Sequence, residues 1–87
     1  MIRFSERVSI CEVDDELVLL DSASGKYFSI NAVGRRVFEL LGQDPRIESA
    51  VSALLAEFDV EEKTLRADIH LFLVEMKAKG LVETDEV

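Results

Sequence analysis

The stretch Glu61–Lys79, EEKTLRADIHLFLVEMKAK, carries the pattern on which the fold turns. Its apolar residues recur at helical spacing rather than in strict alternation. At about 100° per residue, Leu65, Ile69, Phe72, Leu73 and Met76 share one side. Ala67, Leu71, Val74 and Ala78 fall on roughly the opposite side. Two polar flanks separate these stripes, Arg66, His70 and Lys77 on one and Asp68, Glu75 and Lys79 on the other. A surface helix of a small domain needs a single stripe to meet its core. The larger stripe suits that task. The second leaves three readings open: packing on the domain's own sheet, a homodimer, or one wall of a groove for another molecule.

Downstream, Gly80 is placed to end this helix, and Leu81-Val82 can fold back on its last turn. Upstream, Asp59 with Glu62 reads as a capping box. The preceding helix is expected to start at Asp44-Pro45, with aspartate as N-cap and proline at the first helical position. Ile47, Val51, Leu54, Leu55 and Phe58 would form its apolar stripe. Before it, Asn31 can cap a first helix that carries Val33, Val37, Leu40 and Leu41, with Gly42 as its stop.

The N-terminal third reads as strands. Val8–Val13 alternates apolar and polar residues, the strand period of two. Asp14-Asp15 is a turn signal, Glu16–Asp21 an apolar strand, and the cluster Asp21-Ser22-Ala23-Ser24-Gly25 a second turn. Lys26–Ile30 is a short third strand, expected at an edge of the sheet. The fold class is therefore α+β: a three-stranded antiparallel meander followed by three helices, winged-helix-like, in one domain over residues 1–87.

Composition narrows the function. The sequence carries 10 Lys and Arg against 18 Asp and Glu, a net charge of −8, which repels phosphate backbones and argues against nucleic acid as partner. The third helix balances Lys63, Arg66, Lys77 and Lys79 with Glu61, Glu62, Asp68 and Glu75. Its spare stripe is apolar rather than rich in base-reading side chains. This weighs against a winged-helix regulator on DNA, the alternative reading of the same element order. No apolar run approaches the roughly 18 residues of a membrane span. The N-terminal residues lack the apolar core of a signal peptide, and room for a disordered tail is confined to Thr84–Val87. The single cysteine, Cys11, excludes an internal disulfide and a cysteine-based metal site, and points to a cytoplasmic protein.

No constellation for catalysis is visible, and neither cofactor nor metal is expected. His70 is one histidine on a polar flank, and Cys11 is a lone thiol in a strand. The acidic pairs Asp14-Asp15, Glu61-Glu62 and Asp85-Glu86 sit at a turn, a helix start and the terminus, where carboxylates serve caps and solubility. Gly25-Lys26 lacks the other glycines of a phosphate loop. A binding role fits better. An edge strand offers unpaired N–H and C=O groups, and an apolar helix face beside it offers pockets. Together they could hold an extended peptide added as a strand.

A resemblance supports that reading. The run from Leu20 to Leu41, with Asp21, Gly25-Lys26-Tyr27-Phe28-Ser29-Ile30-Asn31, then Gly34 and an apolar helix, resembles the PqqD-like family. Asp68-Ile69, Phe72-Leu73, Met76 and Gly80-Leu81-Val82 resemble that family's ending, so the likeness spans about Val8 to Glu83. It implies a recognition element for ribosomally made, post-translationally modified peptides, in which the precursor's leader pairs antiparallel with the third strand and lies against the third helix. By this analogy Lys26, Tyr27, Phe28, Ser29 and Ile30 supply the pairing edge. Ala67, Leu71, Val74 and Ala78 supply a wall, and Asp68 and Glu75 are available to polar or basic leader groups. Phe28 and Ile30 are expected to point inward, Tyr27 and Ser29 outward. The Gly-Lys-Tyr-Phe strand is most similar to the discrete partner proteins of lasso-peptide pathways, and departs from the pyrroloquinoline-quinone branch of peptide chaperones. The resemblance implies presentation of the leader to a separate peptidase, with the cyclase as a further candidate partner.

Overall fold

The computed structural model describes residues 2–14 and 16–85. In chain order the elements are β1 (Ile2–Phe4), β2 (Val8–Val13), β3 (Glu16–Asp21), β4 (Tyr27–Ser29), α1 (Ala32–Gln43), α2 (Ile47–Glu57), α3 (Glu62–Ala78) and β5 (Val82–Thr84). The expected meander is present as an antiparallel sheet in the order β2-β3-β4, so β4 lies at an edge. Its strands pair so that Ile10, Leu19 and Phe28 form one row. Leu19 is fully buried, and Ile10 and Phe28 pack beside it on the core.

Two turns set this register. Asp14 takes the left-handed conformation, φ 52°, in the β2–β3 connection; an aspartate tolerates it better than most residues. Its neighbour Asp15 lies outside the described residues. In the β3–β4 turn, Gly25 sits at φ 74° and donates its N–H to the Asp21 carbonyl at 2.8 Å. The Asp21 carboxylate accepts from the Ala23 N–H at 3.0 Å and from the Ser24 hydroxyl at 3.1 Å. Asp21 is itself buried, and Arg7 donates to it through Nε at 2.9 Å.

A second, two-stranded sheet joins the ends of the described chain. β1 and β5 pair antiparallel, Ile2 with Thr84 and Phe4 with Val82. The sequence reading missed it, and Thr84, expected in a disordered tail, belongs to a strand; Glu86 and Val87 lie outside the described residues. Three-residue strands paired between opposite ends of the chain leave no period for a local reading to detect.

Several helix boundaries also differ from expectation. Asn31 does cap α1, its side chain accepting from the Gly34 N–H at 2.8 Å. Gly42 does not stop that helix, which continues to Gln43 and closes with the Asp44 N–H on the Leu40 carbonyl. α2 starts at Ile47 rather than at Pro45. The Pro45 carbonyl is turned out to accept from the Ile2 N–H at 3.0 Å. The Asp44 carboxylate binds the Arg46 backbone and guanidinium instead of capping the helix. The hydrogen bonds from Arg46 and Ser49 hold its pKa well below the usual carboxylate range. The Asp59–Glu62 capping box is absent: Glu61 is the N-cap of α3 and has no side-chain cap bond. At the other end of α3 the sequence reading holds. Gly80, at φ 73°, donates to the Lys77 carbonyl, and Leu81 donates to the Met76 carbonyl at 2.9 Å, the paired bonds of a Schellman ending.

The core forms where α3 crosses the sheet and the other helices. Leu65, Ile69, Leu73 and Met76 of α3 are buried against Val37 and Leu41 of α1, Val51 and Leu54 of α2, and Leu19 of the sheet. Arg7 bridges the layers, reaching the Gly80 carbonyl at 2.8 Å as well as Asp21, and so ties the end of α3 to the β3–β4 turn.

Candidate functional site: a cleft beside an open strand edge

The hydrogen bonds of β3 decide which backbone groups β4 presents. Asp21 N–H bonds to the Lys26 carbonyl and Ile30 N–H to the Leu17 carbonyl. In an antiparallel ladder hydrogen-bonded and non-hydrogen-bonded pairs alternate. The intervening pairs Leu20–Tyr27 and Val18–Ser29 are therefore non-bonded. Tyr27 and Ser29 direct their N–H and C=O groups away from β3, towards the open edge. A further strand could take up these groups.

Beside the C-terminal end of that edge lies a cleft of about 370 Å³. Ser29, Ile30 and Asn31 form its strand side, and Val33, Gly34 and Val37 of α1 its floor. α3 closes it with Asp68, Ile69, Leu71, Phe72, Glu75 and Met76. The floor is apolar and the polar groups lie on its rims, the arrangement expected of a ligand site. Gly34 is buried, and a Cβ there would meet Ile30 and the Phe72 ring at 3.5 Å. These are ordinary contact distances, so the position lies where α1, the end of β4 and α3 meet. Behind Phe72, Phe4 packs at 6.3 Å between ring centroids and meets Phe38 in turn in a tilted contact at 4.7 Å, which backs the wall from the far side.

Of the residues expected from sequence, Ser29, Ile30, Asp68, Leu71 and Glu75 line this cleft. Phe28 and Ile30 turn to the core, whereas Tyr27 and Ser29 are exposed. Phe28 lies under the Lys79 ammonium, 5.0 Å from the ring centroid, and Lys79 also binds Glu75 at 3.2 Å. Lys26 and Tyr27 lie further along the edge, outside the lining. Ala67, Val74 and Ala78 are also outside it, exposed on the far side of α3. The second apolar stripe is thus real, with Leu71 65% and Val74 42% exposed, but only Leu71 reaches the cleft. The α3 wall is the flank between the two stripes.

Sequence reasoning passed over the contributions of Asn31, Val33, Gly34, Val37, Ile69, Phe72 and Met76. Most had been assigned to the core, and they serve both ends. The spacing Asn31-x-x-Gly34 was the available signal, since a cap followed by glycine in the first turn leaves room beside the helix start.

A wider groove of about 840 Å³ lies between the β1–β5 ribbon and α1, lined by Phe4, Phe38, Leu41 and Glu83 among others. There the outward N–H of β1 at Ile2 is already taken by the Pro45 carbonyl. The smaller cleft beside β4 has the open ladder, and is the better candidate. Among the described residues no group of histidine, cysteine or carboxylate side chains could hold a metal ion. No described helix is long and apolar enough to cross a membrane.

A meander with an open edge, backed by three helices that leave a cleft beside it, is an architecture suited to a peptide added as a strand. The chain belongs to the PqqD family: the family model, described as coenzyme PQQ synthesis protein D, matches residues 16–82. Comparison with curated proteins gives no match. Among solved structures, TbiB1 in complex with the TbiA(β) leader peptide superposes with a TM-score of 0.80 at 36% identity, covering 98% of this chain and 99% of that one. Lasso peptide synthetase B1 complexed with its leader peptide gives a TM-score of 0.79 at 24% identity, covering 95% and 98%, a likeness of fold.

Proposed function

We propose that the protein is a non-catalytic module that binds the leader segment of a lasso-peptide precursor. The leader adds as an antiparallel strand to β4, along Lys26–Ile30, and lies in the cleft against α3. Bound this way, it is presented in the cytoplasm to a separate leader peptidase, with the cyclase as a further partner. The observation that carries this reading is the open ladder at Tyr27 and Ser29 beside an apolar-floored cleft. Main-chain pairing gives affinity without demanding a sequence, and the pocket for alternate side chains gives selectivity. The leader-bound state of a relative 36% identical over nearly its whole length supports it. No reacting group is needed from this chain, because cleavage and ring closure belong to the enzymes it serves.

The expected affinity is about −8 to −11 kcal/mol, a Kd between about 1 µM and about 10 nM. The test is a titration of isotopically labelled protein with synthetic lasso-precursor leaders, the TbiA(β) leader among them. Binding in that range should shift the Tyr27 and Ser29 amides and slow their exchange with solvent. Saturation without any change at those amides would remove strand addition. No binding by any leader would remove the function.

A further inference from the structure

The cleft is electrostatically uneven along its length. Both acidic residues of its α3 wall face the same apolar floor, yet only one is neutralised. Glu75 is held by the Lys79 ammonium at 3.2 Å, and that ammonium also covers the Phe28 ring. The carboxylate of Asp68, two turns earlier on the same flank, has no hydrogen bond or ion pair within the described chain. The remaining arginines of the neighbouring elements are committed elsewhere: Arg36 to Glu57 and Glu39, Arg66 to Glu48 and Glu62, Arg35 to Glu39. One end of the cleft is therefore an uncompensated carboxylate, and the other an internally balanced pair.

The contacts also fix which end is which. Phe28, in the middle of β4, meets Lys79 beyond the C-terminal end of α3. The Gly34 position, in the first turn of α1, lies against both Ile30, just past the end of β4, and Phe72, one helical turn from Asp68. β4 therefore runs opposite to α3. A strand that pairs antiparallel with β4 runs in the same direction as α3, and its N-terminal half passes Asp68.

Resting on the peptide-cleft reading, we propose that Asp68 selects a lysine or arginine side chain in the N-terminal half of the bound leader segment. Such a cation would place its charge on the carboxylate and its aliphatic stem along Leu71 and Phe72, as long basic side chains do at an apolar rim. A leader glutamate there would meet a like charge beside a net −8 protein. Towards Glu75 and Lys79, a neutral side chain is accommodated as well as a charged one.

The test uses the tightest-binding leader of the titration panel. Each of its positions is changed singly to Lys and to Glu, and the variants are measured against the wild-type protein, Asp68→Asn and Asp68→Lys. One position in the N-terminal half should prefer Lys over Glu on the wild type, by about two- to fivefold in Kd as for a partly exposed ion pair. That preference should vanish with Asp68→Asn and reverse with Asp68→Lys. It should also shrink in about 1 M salt, where the screening length falls to roughly 3 Å. Glu75→Gln should shift the same preference less. If no position's Lys/Glu preference depends on residue 68, charge selection is overturned. A coupled position in the C-terminal half overturns the polarity. If no leader binds the wild-type protein, the peptide-cleft reading fails first, and this proposal with it.

Discussion

The two apolar stripes of α3 are both leucine-bearing and have opposite fates. Leu73 is fully buried between sheet and helices, whereas Leu71, two residues away, is 65% exposed at the lip of the cleft. Position around the helix, rather than hydrophobicity, separates the residue that holds the fold from the one that is free to meet another molecule. Between them lies the flank that forms the cleft wall, carrying Asp68, Phe72 and Glu75. A small domain can in this way put a binding surface on its central helix without weakening the core on the other side.

The contrast is broken most sharply by paired substitutions. Leu73→Ala should cost about 2–5 kcal/mol of folding stability in chemical denaturation, the range for a buried leucine. Leu71→Glu should leave folding within about 0.5 kcal/mol of the wild type. It should nevertheless weaken leader binding by roughly 10- to 100-fold, the about 1.5–3 kcal/mol of a side chain buried on binding. Val74→Glu, on the same stripe but outside the cleft, should bind as the wild type does. Equal losses from Leu71→Glu and Val74→Glu would show that the whole second stripe, not the flank, meets the leader.

The meander, the three helices, the Asn31 cap and the Gly80 stop were legible because each carries a local signal: a period of two, a period near 3.6, or a residue suited to a particular backbone conformation. The features that were not legible depend on distant partners. The β1–β5 ribbon joins residues some 80 positions apart in register, Ile2 to Thr84. The start of α2 moved because the Pro45 carbonyl serves Ile2 rather than the helix. The cleft wall was displaced by about a quarter turn from the stripe expected to form it. Helical phase alone could not show that Phe72, braced by Phe4, turns towards the cleft.

A smaller effect tests how the C-terminal end of α3 is held to the sheet. Burial pushes the Asp21 pKa up, but the Ala23 N–H, the Ser24 hydroxyl and the Arg7 guanidinium outweigh it, so the net shift is downwards. A carboxylate lowered on folding contributes stability that is complete above its unfolded pKa and is lost as pH falls through the folded value. The melting temperature of the wild type should therefore drop on acidification below about pH 4. Asp21→Asn should start lower at neutral pH and drop less; an unchanged acid slope would remove Asp21 from this role. The smallest expected change is Gly34→Ala. It gains up to about 1 kcal/mol of helix propensity, with the new methyl at ordinary contact distance from Asn31, Ile30 and Phe72. Folding should shift by less than that amount, while leader affinity falls slightly as the new methyl narrows the cleft. Calorimetry and binding on one sample would separate the two.

The pairing of β1 with β5 has a topological consequence. Because Ile2 faces Thr84 across an antiparallel ladder, the backbone enters and leaves the domain at points only about 4.5–5.5 Å apart. Neither strand lines the cleft beside β4; Phe4 of β1 only backs its Phe72 wall from behind. A unit built this way can be spliced into a surface loop of a larger protein, or circularly permuted, with its working edge untouched. Its portability is a property of how its ends are stitched, independent of what the edge recognises.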